Sequence, residues 1–147
     1  MTIVDKHFTA TGFIVRQKEV LLLHHQKLNM WLPFGGHLEA GEDPVQALLR
    51  EAKEETGFDV EIVADVLDLQ GPFPKVLPSP ETILLEKIED HHFHIDLIYF
   101  VRIVGGSQRI SITEHTEQRW FSADDLTNGD IAEDVKRLGL LAIEKLS

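Results

Sequence analysis

The chain has no cysteine among its 147 residues, which excludes disulfide bonds, a thiolate nucleophile and a zinc site built from cysteine. It also lacks any stretch approaching the roughly 18 consecutive apolar residues of a membrane-spanning helix. The first residues, MTIVDKHFTATGF, lack the basic region followed by an apolar run that marks a secretion signal. We therefore expect a cytoplasmic protein.

Positive charge is scarce: 14 Lys and Arg residues stand against 25 Asp and Glu residues, for a formal net charge of −11 with histidine neutral. This balance argues against a nucleic-acid polymer or an anionic membrane as partner. It does not exclude a small anionic substrate, because a bound metal neutralises a local site whatever the global charge.

The remaining composition is ordinary for a globular protein, with 43% hydrophobic and 27% charged residues. The length suits one domain, residues 1–147, with a core of its own. No internal repeat, linker or low-complexity segment interrupts it. The oligomeric state cannot be read from the sequence, so a homodimer stays open.

The most informative segment is residues 36–58, GHLEAGEDPVQALLREAKEETGF. Its acids Glu51, Glu54 and Glu55 stand at i, i+3 and i+4, so on a helix they share one face and repel each other by a few tenths of a kcal/mol, roughly, per exposed pair. Mg²⁺ or Mn²⁺ turns this repulsion into attraction, because such cations prefer carboxylate oxygens and retain waters that a phosphate substrate can replace. The segment predicts metal-assisted chemistry on a phosphorylated compound.

The spacing of this segment resembles the Nudix box, which marks the Nudix (MutT-like) hydrolases. Ala52 stands where a larger aliphatic residue is more usual in the box. This difference does not change the residues that would carry the chemistry. The resemblance implies an α/β/α sandwich with a mixed β-sheet and a divalent-metal-dependent pyrophosphohydrolase. The matching charged and glycine positions are Gly36, Glu42, Arg50, Glu51, Glu54, Glu55 and Gly57.

The resemblance also implies roles for individual residues. Glu51, Glu54 and Glu55 would hold Mg²⁺, with Mn²⁺ as an alternative, and the backbone carbonyl of Gly35 would add a ligand. Family members often contribute a further acid from the loop before the last strand, where Glu114 is favoured over Glu117. The general base would be a box glutamate, Glu51 being one candidate, or a glutamate outside the box.

Arg50 lies one helical turn from Glu54 and is predicted to orient it through a hydrogen-bonded pair, while Glu42 supports the loop. The alternative for the three clustered acids is a solvated helix face supported by basic residues at i, i+4. The full spaced pattern and the adjacent Gly35-Gly36 turn favour the metal site.

Apolar patterns predict strands at residues 7–16, 20–25, 59–69, 82–88, 93–104 and 118–121, with a turn at 33–36. Asp43, Pro44 and Gln46 predict the start of the box helix, and Gly57 its end. Two further capping patterns, Ser122 with Asp125 and Asp130 with Glu133, predict helices near the C-terminus. Strands interspersed with helices fit a mixed sheet between helical layers.

Outside the box, His92, His94 and Asp96 alternate, so on a strand they point the same way. Three interpretations stay open. These residues form a pocket wall that hydrogen-bonds a substrate's phosphate or base, a half-exposed polar strand face, or a transition-metal site.

Trp31 and Phe34 stand beside the Gly35-Gly36 turn. Their rings are candidates to stack on a nucleobase, and packing in the core is the equally supported alternative.

The sequence as a whole predicts an enzyme that cleaves a diphosphate linkage in a nucleoside diphosphate joined to another moiety. Its expected partner is a small-molecule nucleotide or nucleotide derivative. The alternative is a non-catalytic nucleotide-binding module on the same fold, although a pure binder has no need of three clustered acids. The box does not encode which derivative is the substrate, because specificity comes from loops and strand faces outside it.

Overall fold

A computed structural model describes residues 3–110 and 115–147, without the side chain of Thr116. Its strands are β1 (Asp5–Arg16), β2 (Glu19–His25), β3 (Met30–Leu32), β4 (Phe34–His37), β5 (Phe58–Ile62), β6 (Thr82–Glu89), β7 (His92–Gly106) and β8 (His115–Phe121). Its helices are α1 (Pro44–Thr56), α2 (Ala123–Asn128) and α3 (Glu133–Leu146). The predicted Glu114 lies outside the described residues.

Strand β1 forms the centre of the sheet. It pairs in parallel with β7 and in antiparallel with the short strand β4. Ala10 and Ile14 are buried on one face of β1, and Phe13 and Val15 are buried on the other. Burial on both faces explains the apolar run Phe13-Ile14-Val15 near the end of this strand.

The other strands extend the sheet from β7 and β2. Strand β6 pairs with the first half of β7 and β5 with its second half, both in antiparallel. Strand β2 pairs with β3 and β8 and joins β1 where Val20 lies opposite Val15. Parallel and antiparallel pairs together make the predicted mixed sheet.

Helices cover both faces of this sheet. On one face, Leu48 and Ala52 of α1 belong to a core cluster with Tyr99 of β7. On the other face, Val135 and Ala142 of α3 belong to a second cluster around Phe13 and Phe100. The predicted α/β/α sandwich is therefore confirmed. Within the described part of the chain, no helix is both long and apolar enough to cross a membrane.

The ends of α1 follow the predicted local signals. The Asp43 side chain accepts a hydrogen bond from the Gln46 backbone N–H at 2.9 Å, and the Gln46 side chain accepts one from the Asp43 N–H at 3.0 Å. Gly57 ends the helix with a φ of 81°, a left-handed conformation that glycine adopts without steric cost. These caps fix where the box carboxylates stand along the helix.

Three sequence predictions differ from the fold. The strand predicted over 59–69 ends at Ile62, and Val66, Leu67 and Leu69 are exposed. A turn was predicted at residues 33–36, but residues 34–37 form strand β4. Helix α3 begins at Glu133 after Ala132 without a side-chain cap, so the predicted cap by Asp130 is wrong.

Candidate active site

The three clustered acids of α1 differ in exposure. The side chain of Glu54 is 59% exposed, whereas those of Glu51 and Glu55 are 14% and 11% exposed. Glu51 and Glu55 lie over the glycines of β4, and Glu54 extends towards solvent. The group is therefore partly enclosed, with one carboxylate accessible from outside.

Gly35 and Gly36 let α1 approach the backbone of β4 closely. The Gly35 N–H donates a hydrogen bond to Glu55 Oε2 at 2.8 Å. A Cβ atom added to Gly36 would lie 2.4 Å from Glu51 Oε1. A side chain at position 36 would therefore occupy the space that the Glu51 carboxylate now fills.

Arg50 connects the helix to the loop that precedes it. Its guanidinium donates two hydrogen bonds to Glu42, at 2.8 and 3.0 Å, and one to the carbonyl oxygen of His37 at 3.1 Å. It also donates to Glu51 at 2.9 Å and to Glu54 at 3.2 Å. The predicted Arg50–Glu54 contact is present, and Glu42 supports the loop by binding the same arginine.

These contacts set the charges of the group. The hydrogen bond to Glu42 raises the pKa of Arg50 above its already high ordinary value. The same bond, followed by the backbone N–H of Glu39, lowers the pKa of Glu42. Arg50 is thus positive and Glu42 negative at neutral pH, and the carboxylates around Arg50 outnumber its single charge.

This donor set suits a hard divalent cation. The available atoms are carboxylate oxygens, which Mg²⁺ and Mn²⁺ prefer, and no thiolate is present in the chain. The excess negative charge would be neutralised by such an ion. The contact between Gly36 and the Glu51 carboxylate further indicates a platform built to bring helix oxygens next to the β4 backbone.

His115 lies beside the carboxylate group of α1, and sequence reasoning missed it. It begins β8, is 5% exposed, and its Nε2 lies 3.8 Å from Glu55 Oε1. The sequence had pointed to acids in this stretch, but Glu117 is exposed on β8 opposite His24. The sequence offered one indication of His115, which was its location. The stretch before the last strand was expected to approach the box.

A histidine wall, formed by His7, His37, His92 and His94, lies on the sheet face opposite α1. His37 follows Gly36 directly, and its ring centroid lies 4.7 Å from that of His94 and 5.8 Å from that of His7. The His92 ring lies 5.1 Å from His7 and 5.5 Å from His94. Burial lowers the pKa of His94, and the neighbouring histidines lower it further.

The carboxylate of Asp96 is not accessible to solvent beside the histidine wall. It is 6% exposed, and its Oδ1 accepts hydrogen bonds from Thr9 at 2.9 Å and Thr11 at 2.7 Å. Burial raises the pKa of Asp96. Burial, with the nearby Asp96 charge, also raises the pKa of Glu86 on β6 to about 8. The sheet thus pairs the buried Asp96 with the half-buried Glu86.

The two predicted aromatic residues have different environments. Phe34 is 1% exposed and packs in the core under α1, so its ring has no open face for a nucleobase and the stacking prediction is wrong for it. Trp31 is half-buried, with edge-on contacts to His24 and Phe121 at 5.2 Å between ring centroids. Stacking on a substrate stays a prediction for Trp31.

Comparison with known proteins agrees with the fold. A family model described as NUDIX domain matches residues 5–139. The solved structure of a NUDIX-family hydrolase from Clostridium perfringens superposes with a TM-score of 0.83. It is 31% identical, and the match covers 98% of this chain and 100% of that one.

Curated relatives carry hydrolase names. The CMP-5'-(N-acetyl-N-hydroxy-3-aminopropyl)phosphonate hydrolase of Streptomyces rubellomurinus is 31% identical over 155 residues, covering 95% of this chain and 68% of the relative. The asymmetrical bis(5'-nucleosyl)-tetraphosphatase of Sus scrofa is 30% identical over 115 residues, covering 73% of this chain and 66% of the relative. Both names describe hydrolysis of a compound that contains a nucleotide.

Proposed function

The chain belongs to the Nudix family of hydrolases, and we propose that it is a divalent-metal-dependent pyrophosphohydrolase acting on a nucleoside diphosphate linked to another moiety. The observation that carries the proposal is the placement of Glu51, Glu54 and Glu55 over the Gly35-Gly36 strand, with Arg50 bound to two of them. A carboxylate set held in this way suits the charge of a cation and a polyphosphate.

The reaction transfers a phosphoryl or nucleotidyl group to water. The oxygen of water forms a bond to one phosphorus, the bridging P–O bond breaks, and its electron pair leaves with the second phosphate. One proton of the water must pass to a base, for which a carboxylate of the box is suited. Glu51 is our candidate, because it is mostly enclosed and lies next to the β4 backbone.

The metal would be held by Glu51, Glu54 and Glu55, with the carbonyl of Gly35 as a further ligand. When bound, Mg²⁺ or Mn²⁺ supplies charge neutralisation on the phosphoryl oxygens and makes water more acidic. Arg50 holds the carboxylates of Glu51 and Glu54 in place through charge-assisted hydrogen bonds. Its bonds to Glu42 and the His37 carbonyl fix the guanidinium itself.

The substrate side of the site is proposed along the histidine wall. His37 directly follows the glycine pair in the sequence, and its ring centroid lies 4.7 Å from that of His94, on the sheet face opposite Gly36 and α1. Imidazole N–H groups can donate hydrogen bonds to phosphate oxygens. The names of the two curated relatives support a nucleotide portion in the substrate, joined through phosphorus to a second group.

A hydrolysis screen over nucleoside diphosphate derivatives, with Mg²⁺ and Mn²⁺ compared, tests the proposal. In the same screen we expect Glu54→Gln to lower kcat by about 100-fold or more, because it removes a negatively charged metal ligand. Glu54 is largely exposed, so the variant should unfold at the wild-type temperature.

The matched control is Glu144→Gln, which changes an exposed acid on α3 and should hydrolyse the substrate at the wild-type rate. Wild-type turnover by the Glu54 variant would overturn the metal assignment. Nucleotide binding without turnover across the whole screen would instead favour the non-catalytic binding module.

A further inference from the structure

A second group of metal-binding side chains lies at the beginning of β1 and β7. Asp5, His7 and His92 each offer one ligand atom, and these atoms all lie within 4.8 Å of one another. Asp5 and His7 are exposed and His92 is half-buried, so an ion can reach the group from solvent. This group shares no residue with the carboxylate set of α1.

The sheet holds the three residues in register. Strands β1 and β7 run in parallel here, with Asp5 opposite His92 and His7 opposite His94. Asp5 and His7 are two residues apart on one strand and therefore point to the same face. The Asp5 N–H also donates a hydrogen bond to the His91 carbonyl at 2.7 Å, which ties the beginning of β1 to the turn before β7.

The donor atoms differ in kind from those of the box. Two imidazole nitrogens and one carboxylate form a set that suits Zn²⁺ and its neighbours among the transition metals, whereas Mg²⁺ prefers oxygen alone. Zn²⁺ binds imidazole nitrogen at about 2.0–2.1 Å and carboxylate oxygen at about 2.0–2.2 Å. The exposed side chains of Asp5 and His7 can rotate to reach these distances.

We propose that Asp5, His7 and His92 form a transition-metal site that binds Zn²⁺ separately from the carboxylate site of α1. The ion bridges the beginning of β1 and the beginning of β7, two segments far apart in the sequence that meet only in the folded sheet. Three protein ligands leave a fourth position of a tetrahedral site for water. Zn²⁺ therefore binds the folded chain in preference to the unfolded chain and stabilises it.

Zn²⁺ binding to the full chain tests the site, measured by equilibrium dialysis and metal analysis. We expect the double variant His7→Ala/His92→Ala to bind about one Zn²⁺ fewer per chain than the wild type. The variant Glu51→Gln/Glu54→Gln should keep that ion, because it changes only the box. Asp5→Asn should lower the affinity for the same Zn²⁺ ion about tenfold or more, since it removes the charged ligand.

His91→Asn is the matched control. His91 is exposed beside His92 and has a φ of 65°, a conformation that asparagine tolerates. This variant should bind Zn²⁺ as the wild type does, and Zn²⁺ should raise its melting temperature equally. Circular dichroism of each metal-free variant confirms that the fold is retained.

Visible absorption of the Co²⁺-substituted protein gives a second readout, because ligand replacement changes the spectrum of the bound ion. The spectrum of the box variant should retain the band that the double histidine variant loses. The proposal is overturned if the double variant keeps the Zn²⁺ stoichiometry and affinity of the wild type, or if His91→Asn loses the ion equally.

Discussion

At Gly36, the absence of a side chain decides how closely α1 can approach β4. The Glu51 carboxylate occupies the position that a Cβ atom would enter. The φ of Gly36 is not positive, so alanine can adopt the same backbone conformation without strain. The effect of alanine is therefore confined to the contact of its Cβ with Glu51. The residue thus offers a way to move one carboxylate without removing its charge.

We predict that Gly36→Ala lowers kcat for the substrate found in the hydrolysis screen by about 100-fold, because a displacement of about 1 Å at a catalytic group has effects of this size. The control is Gly105→Ala, whose Cβ would lie 3.3 Å from the exposed Asp59 side chain, which can move aside. Steady-state kinetics and thermal unfolding should be measured for both. Undiminished kcat in Gly36→Ala would show that turnover does not depend on the position of Glu51.

At the scale of elements, local patterns predicted what local interactions determine. The capping contacts of Asp43 and Gln46 and the left-handed Gly57 depend on residues near them in sequence, so spacing alone identified the ends of α1. The mixed sheet and its helical layers likewise followed from apolar periodicity and from the box. The carboxylate set could be predicted because one helix carries it.

Contacts between residues on different strands could not be predicted from these local patterns. His92 was expected to group with Asp96, yet the parallel register of β1 and β7 brings it to Asp5 and His7. His115 reaches Glu55 only because β8 pairs with β2 at that end of the sheet. Strand alternation gives the face on which a side chain lies, but not its neighbours on other strands.

The predicted strand over 59–69 failed for a related reason. Val66, Leu67 and Leu69 have strand-like composition, but they are exposed and outside β5. The part of β7 that pairs with β5 ends at Val101, and β6 pairs with β7 from Ile98 towards its beginning. Propensity indicates a strand only where a partner edge is available.

The pairing of β6 with β7 brings Glu86 and Asp96 together and predicts a pH-dependent stability. Burial raises the pKa of Glu86 from 4.5 to about 8, with contributions from Asp96 and from Asp134 on α3, while His94 lies opposite Glu86 in the register. The folded chain therefore holds this proton more tightly than the unfolded chain. This contribution is complete below about pH 4.5 and is lost as pH rises through about 8.

We predict that Glu86→Gln, which stays neutral, gains stability relative to the wild type as pH rises from 5 to 9. The expected gain is about 1 kcal/mol, well below the full pKa shift because the group is only half-buried. Urea unfolding across this pH range measures it, and Glu144→Gln on the exposed face of α3 should follow the wild type. A constant difference between Glu86→Gln and the wild type at all pH values would contradict the raised pKa.

At the scale of the whole molecule, the net charge of −11 opposes the approach of the anionic substrate that we propose. Divalent cations bound as we propose would neutralise only the region around the box carboxylates. Long-range repulsion should therefore slow association, while the chemistry within the site is set by nearby groups. Salt separates the two effects, because it screens charges beyond about 8 Å at physiological ionic strength.

We predict that kcat/KM rises severalfold when NaCl is increased from about 10 to about 150 mM at saturating Mg²⁺, because screening weakens the repulsion between chain and substrate. In contrast, kcat at saturating substrate should change little. Initial-rate kinetics over the salt series measures both, with sucrose at equal osmolality as the uncharged control. A fall in kcat/KM with salt would mean that the field at the mouth of the site is positive, set by the bound metal rather than by the net charge of the chain.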